Sequence, residues 1–318
     1  MINFKFLKKI QNKYFPFYKN RDLKYVLKKL EEISNNQSKS AMFVGGCVRK
    51  HLQNQSVDDI DIATSATTNQ IREKFKNTKF KIIDSGIKHG TITLISQNSK
   101  IELTTLRKDV TTYGRHADVE FTDDWKEDSQ RRDITINAIY LDKNGKIYDF
   151  HNGVKDLKKK IVKFIGDPEK RIQEDYLRII RFIRFAIQYD SSTDSDTIKA
   201  LKLNLNGIKD LSKERIFDEL IKILRLENFD DILKHENKKN IFLLIFPEFK
   251  NIEKMNKLKH CRKLNYFVDE SVILAVLLFE SQNNYEYFCY KYKTSNKLNK
   301  KLTLLFKLYE KIKSNKNF

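Results

Sequence analysis

The residues best equipped for chemistry lie in FVGGCVRKHLQNQSVDDIDIATSAT, residues 43–67. A strand over 41–44 carries the chain into Gly45-Gly46, where a helix is expected to start with Arg49 in its first turn. Two glycines let a backbone approach a phosphate closely. Free N–H groups at a helix start attract an anion that a guanidinium can also reach. Further on, Asp58-Asp59-Ile60-Asp61 alternates acid and aliphatic residues. On a strand, residues two apart share a face, so Asp59 and Asp61 stand side by side. Adjacent carboxylates repel unless a cation lies between them. Hard oxygen ligands at that spacing suit Mg²⁺, and two such ions bridged by carboxylates serve in-line displacement at phosphorus. Alone, a glycine pair reads as a tight turn and an Asp-x-Asp as a solvated acidic turn. Their succession within one strand-turn-helix-strand unit is what makes the chemical reading compete. Such a site often takes a third carboxylate from a neighbouring strand, and Glu102 in KIELTTLR is the candidate.

These side chains need a sheet to hold them. Eight of the nine glycines lie between Gly45 and Gly166, and the last is Gly207. Glycine turns suit a sheet, and their absence suits packed helices. An α+β N-terminal region followed by an all-helical C-terminal half is therefore expected. Strands are predicted over 41–44, 59–63, 81–83, 91–95 and 100–104, and a leading amphipathic helix over 21–33, while 134–141 reads as strand or helix. Helices are predicted from Arg171 onward, including 210–226, 272–280 and a basic segment within 291–318. The net charge of +20 favours a polyanionic partner, nucleic acid first. No apolar run approaches the ~20 residues needed to span a bilayer, so no membrane association is expected. Three cysteines without a CxxC pair argue against a disulfide framework and a cysteine zinc site. The expected compartment is the reducing cytoplasm. The histidines are scattered, no glycine loop ends in GK[ST], and Trp125 reads as core or seam.

With these motifs in hand, the chain resembles the class II tRNA nucleotidyltransferases, or CCA-adding enzymes, and their poly(A) polymerase relatives, within the polymerase-beta superfamily. The likeness covers roughly residues 41–226. GGCVRK with DDIDIAT resembles the first family motif, which makes Gly46 and Arg49 triphosphate contacts and Asp59 and Asp61 metal ligands. SGIKHGTITL is similar to the segment that follows in CCA-adding enzymes. LRKDVTTYGRHADVEF resembles their flexible loop. In EDSQRRDITINAIY, similarity assigns Arg132 to the incoming nucleotide and Asp133 to its ribose. LSKERIFDEL resembles the last motif, a structural brace. Lys50, Tyr113 and Ile134 depart from the usual aspartate, acidic or small residue, and phenylalanine, and the part beyond 226 is short for the family. The resemblance implies a polymerase-beta-like head at 41–150 behind an N-terminal extension at 1–40. A neck at 151–226 and a short helical body at 227–318 follow.

In EDYLRIIRFIRFA, Asp175 and Arg178 lie i, i+3 on one helical face, Arg181 and Arg184 continue the row, and Glu174 is i, i+4 to Arg178. The apolar remainder buries this helix, so its arginines need an anionic partner. Family likeness makes this the nucleotide-selecting helix. An Asp acceptor beside an Arg donor matches C and A, each of which presents an amino donor next to a ring acceptor. The implied reaction adds CMP and AMP, from CTP and ATP with Mg²⁺, to the 3′ end of tRNA, with no obligate protein partner. Poly(A) synthesis, partial CC or A addition, and a non-catalytic RNA-binding scaffold are the alternatives.

Overall fold

The computed structural model describes residues 20–34, 40–57, 59–86, 89–113, 116–263, 268–280 and 282–315. The basic aromatic segment 1–19 and the side chain of Tyr113 lie outside that description. The chain divides into two compact units. The first holds residues 1–159 and 163–166, and the second holds 160–162 and 167–318.

The first unit is built on a seven-stranded mixed sheet in the order β3-β4-β5-β2-β1-β8-β9. Its strands are β1 (Ala41–Val44), β2 (Ile60–Thr64), β3 (Lys81–Gly86), β4 (Thr91–Ile95), β5 (Lys100–Thr105), β8 (Ile139–Leu141) and β9 (Ile147–Asp149). Only β2 and β5 pair in parallel; every other neighbour is antiparallel. Helix α1 (Arg21–Ile33) buries Leu23, Val26, Leu27 and Leu30, and Asn20 caps it by accepting from the backbone of Asp22 and Leu23. Its apolar stripe packs against β1 and α3 (Thr68–Phe75), which a Thr67/Gln70 capping box starts. Another cluster gathers Met42, Val44, Ala63, Leu106 and Tyr140, with Trp125 and Tyr148 packed onto it. Trp125 opens α4 (Trp125–Gln130).

Two expectations change here. Residues 134–141 are neither one strand nor one helix: a 3₁₀ turn at Thr135–Asn137 leads into β8. The segment likened to a flexible loop is a β-hairpin, β6 (Arg107–Tyr113) and β7 (His116–Phe121), in a sheet of its own. A tight contact fixes its base: a Cβ on Gly90, whose φ is +71°, would come within 2.7 Å of the Phe121 ring.

The second unit is helical throughout its described residues. Helix α5 (Gly153–Lys159) belongs to the first unit. The second runs α6 (Pro168–Glu174), α7 (Leu177–Gln188), α8 (Ser195–Leu203), α9 (Lys213–Leu224), α10 (Glu236–Ile245), α11 (Met255–Lys263), α12 (Glu270–Leu278), α13 (Gln282–Lys291) and α14 (Asn296–Ser314). Short 3₁₀ turns at Leu205–Asp210, Phe229–Lys234 and Ile252–Lys254 link them. The core around α10 is aromatic: Phe242 meets Phe229, Phe246 and Phe249 at ring-centroid distances of 5.1–5.8 Å.

Candidate active site

The parallel pairing of β2 with β5 sets Asp61 directly opposite Glu102. Asp59 stands exposed one residue before β2, which begins at Ile60 rather than at 59 as the sequence suggested. The Asp61 carboxyl is pushed up to about 6. Burial is the largest cause and the negative charges of Glu102 and Asp59 add to it, while Arg132 and Arg49 pull the other way. Arg49 and Asp59 of the first motif, Glu102 of KIELTTLR and Arg132 of EDSQRRD thus act on one carboxyl. Glu102 and Asp59 together outweigh Arg132 and Arg49, an imbalance that a divalent cation would relieve. Among the described residues, no group of three or more His, Cys, Asp or Glu side chains could hold a metal alone.

Gly45 and Gly46 do different work. Gly45 has φ +75° and ψ −132°, a backbone that side chains resist, and a Cβ there would face Asp61 Oδ2 at 3.7 Å. At Gly46 an added Cβ would meet nothing within 4 Å, so the backbone borders open space. Helix α2 (Gly46–Leu52) begins there and buries Arg49. Arg49 Nη1 donates to Asn137 Oδ1. Asn137 Nδ2 in turn donates to Asp133 Oδ1 at 3.1 Å, which also accepts from the Ile134 N–H at 2.9 Å. A polar chain therefore ties Arg49 to Asp133 across 84 residues of sequence. The buried Cys47 thiol is pushed up to about 11, chiefly by burial.

Arg132 is fixed by residues the motif reading passed over. Its Nη2 donates to Asp128 Oδ2 at 3.0 Å, its Nε donates to Tyr140 Oη at 3.0 Å, and the guanidinium lies 5.1 Å from the Tyr140 ring centre. Asp128 is fully buried. It also accepts from Arg131 Nε at 2.8 Å and from the Tyr140 hydroxyl at 2.7 Å. Burial alone would raise its pKa, but Arg132 and Arg131 hold it below the ordinary carboxylate range. The i, i+3 and i, i+4 spacing of Asp128 to the two arginines was legible in EDSQRRD; its burial was not.

In the second unit, the stretch expected to be one helix from 174 to 187 is two. Helix α6 ends at Glu174, Asp175 is extended (φ −155°, ψ 107°), and α7 starts at Leu177. Asp175 therefore lies just before the N-cap of α7, its Oδ1 accepting from the Leu177 N–H at 3.1 Å, instead of sharing a continuous helical face with Arg178. Its Oδ2 accepts from Arg215 of α9 at 2.7 Å. Arg178 donates to Glu174, as the i, i+4 spacing implied, and to the Arg171 carbonyl at 2.9 Å. The family likeness makes Arg181 and Arg184 contacts to base or phosphate. Within the chain, Arg184 Nε donates to Glu219 Oε2 at 2.7 Å and the guanidinium lies 4.1 Å from the Phe185 ring centre, with Arg181 3.9 Å from the same carboxylate. A guanidinium on so apolar a helix needs an internal counter-ion, and Glu219, buried on α9, supplies it.

Two sequence profiles match the chain in order: the poly(A) polymerase head domain over residues 41–163, and the probable RNA and SrmB-binding site of polymerase A over 192–253. The chain belongs to the tRNA nucleotidyltransferase and poly(A) polymerase family. Among its relatives, the mouse mitochondrial CCA tRNA nucleotidyltransferase 1 is 38% identical over 263 residues, covering 81% of this chain and 60% of that protein. The CCA-adding enzyme of Staphylococcus haemolyticus is 37% identical, covering 82% and 62%. The chain thus spans about three-fifths of the length of these curated relatives. The structure of the Bacillus stearothermophilus CCA-adding enzyme in complex with CTP superposes with a TM-score of 0.66 at 26% identity, over 92% of this chain and 71% of that one. Nucleotidyltransferases of this family use divalent metals, in keeping with the carboxylates at Asp61. No helix among the described residues is long and apolar enough to cross a membrane.

Proposed function

We propose that this nucleotidyltransferase transfers CMP and AMP from CTP and ATP to the 3′ end of tRNA, releasing diphosphate. The observation that carries the reading is the register pairing of Asp61 with Glu102 beside Asp59, with Asp61 pushed up to about 6 by burial and these neighbours. Mg²⁺ held by Asp59 and Asp61, with Glu102 beside them, would supply charge neutralisation for a triphosphate and a lowered pKa for an attacking hydroxyl. The chain's own groups do the rest. The open backbone at Gly46 admits a triphosphate, Arg49 and Arg132 add positive charge near Asp61, and Asp133 is assigned to the ribose. In the neck, 151–226, Asp175 and Arg178 choose the base. Asp175 has used about two of its four lone-pair sites, so it can still accept from the exocyclic amino group of C or A. Uracil and guanine present the reverse pattern and would leave polar groups unpaired, at ~1–3 kcal/mol each. The +20 charge supports tRNA binding through phosphates. Free Cys47, Cys261 and Cys289 support a reducing compartment such as the cytoplasm.

The test supplies the purified chain with Mg²⁺ and a tRNA transcript lacking its 3′ CCA, and with CTP, ATP or both. Two C additions with CTP and one further A with both are expected, and Asp59→Ala is expected to abolish them. A long A tail or a stop after CC would replace the reading with poly(A) synthesis or partial addition. Retained tRNA binding with no incorporation would overturn it.

A further inference from the structure

The first unit holds a cavity of about 500 Å³ whose described lining includes none of the residues gathered around Asp61. Met42 lies at it, Trp125, Tyr148 and Phe150 supply three aromatic rings, and Asp123 and Asp124 supply two carboxylates. The segment TDDWKED builds one side. Asp124 caps α4, its Oδ1 accepting from the Lys126 N–H at 2.7 Å, which fixes Trp125 as the first residue of the helix. The Trp125 ring stands edge-on to Tyr140 at 5.6 Å between centres, and Phe150, one residue past β9, stands edge-on to the same ring at 6.1 Å. Tyr140 is buried and hydrogen-bonded to Asp128 and Arg132. Two aromatic walls therefore lean on one immobilised ring. The cavity lacks a cation. Asp123 is exposed and makes no hydrogen bond or ion pair among the described residues, on a chain that carries 62 Lys and Arg. Lys146 Nζ lies 5.2 Å from the Tyr148 ring centre, so this aromatic surface accepts a positive charge, yet among the described residues no ion pair joins Lys146 to either aspartate. Phe150 keeps 38% of its surface open to solvent.

Aromatic faces attract cations, and the two carboxylates add to that attraction while repelling phosphates. The cavity thus selects against RNA and triphosphates, the anions that the +20 chain favours overall. A guanidinium suits both parts of it. Its flat face stacks on a ring, its fork meets a carboxylate, and it is more weakly hydrated than an ammonium. The space also admits the apolar stem behind such a head. A free polyamine would offer the charge without the flat head. We propose that this cavity is a binding site for an arginine side chain presented by another protein, with the guanidinium against Trp125 and Phe150 and its charge met by Asp123. Binding there needs neither metal nor nucleotide.

Trp125 is the only tryptophan of the chain, so its fluorescence reports on this cavity. The full chain is titrated at constant ionic strength with an acetylated, amidated Gly-Arg-Gly peptide, with its citrulline counterpart, with spermidine and with CTP. Calorimetry repeats each Kd without relying on the indole. A saturable change is expected with the arginine peptide and none with citrulline, which keeps the shape and loses the charge. Asp123→Asn and Phe150→Ala should each raise the Kd about two- to fivefold, the worth of an exposed ion pair and of one cation–π contact, and together about tenfold. If Phe150→Ala disturbs the packing on Tyr140, seen by circular dichroism, Phe150→Leu keeps the bulk and removes the ring. Equal responses to arginine and citrulline, or an arginine response untouched by Asp123→Asn, would overturn the inference. Spermidine binding as tightly as the arginine peptide would overturn the assignment to a protein side chain, and a CTP response that Phe150→Ala abolishes would overturn the assignment to a cation.

Discussion

Replacing Asp128 with asparagine tests whether one buried carboxylate organises the second head motif. Asp128 has no exposed surface and accepts from Arg131 Nε at 2.8 Å, Arg132 Nη2 at 3.0 Å and the Tyr140 hydroxyl at 2.7 Å. Asparagine keeps the volume but removes the charge and turns an amide donor toward one of these donors. Two guanidiniums then remain desolvated without their counter-ion. Removing one partner of a buried ion pair costs about 3–5 kcal/mol. Arg107 makes matters worse: burial and the nearby Arg131 already lower it to about 10, and Asp128 is among the charges that support its protonation. At roughly 2–4 °C per kcal/mol for a unit of this size, the melting temperature should fall by roughly 6–20 °C. The pH dependence carries a sign. The folded pKa of Asp128 lies below its unfolded value, so its stabilisation is fully present above about pH 4 and fades only as pH falls further. The gap between wild type and Asp128→Asn, followed by circular dichroism, should stay constant from pH 7 to about pH 4.5. A gap of under about 1 kcal/mol at pH 7, or one that closes by pH 5.5, would refute the account. The KM for nucleotide should rise as well, because Arg132 loses its anchor.

Asp61→Asn should abolish incorporation yet stabilise the metal-free protein. With its folded pKa raised to about 6, the ionised Asp61 destabilises the fold above that pH, so neutralising it should gain about 1–3 kcal/mol at pH 7.5; added Mg²⁺ should raise the melting temperature of the wild type but not of the variant. Gly45→Ala should cost about 1–3 kcal/mol through its φ of +75°, and since the new Cβ meets Asp61 Oδ2 only at an ordinary 3.7 Å, chemical denaturation without metal should register the full loss. Glu219→Gln should destabilise the second unit by about 3–5 kcal/mol, by removing the buried carboxylate to which Arg184 Nε donates. The double variant Glu219→Gln/Arg184→Met should recover most of that loss in a denaturation cycle.

What was legible in the sequence was whatever local chemistry dictates. Strands β1 and β4 and helix α1 fall on their predicted bounds because glycine, serine and asparagine punctuate them. The Asp61–Glu102 pairing was within reach because both residues sit in short β-branched runs. What escaped prediction was imposed from a distance. The apolar periodicity runs unbroken through Asp175, and only Arg215, 40 residues away, together with Gly207, where a Cβ would meet the Tyr176 ring, accounts for the break. Glu219 was likewise hidden: 35 residues separate it from Arg184, and its role exists only once α7 and α9 are packed. The hairpin of β6 and β7 was missed because its charged and polar residues lack the strong alternation that marks a half-buried strand.

Asp128, fully buried, and Asp61, half-buried on β2, make the case for where the chemistry lies. Asp128 and Asp61 both suffer burial, which favours the neutral acid. Asp128 is answered by two arginines within 3.0 Å and is driven down. Asp61 has Glu102 opposite and Asp59 beside it, and Arg49 and Arg132 do not overcome them, so it is driven up. The protein carries 62 Lys and Arg residues, and pairing Asp61 directly with one of them would remove that cost. It does the reverse: Arg132 is bound to Asp128 and Tyr140, and Arg49 to Asn137, so both stand near Asp61 with their guanidiniums held by other partners. Carboxylates whose surroundings push their pKa values apart divide into structural and reactive members. By that criterion Asp128 is an internal counter-ion. Asp61 is the group that a positive charge from outside the chain would relieve, and this is why we propose that a divalent cation bound together with a triphosphate is held there.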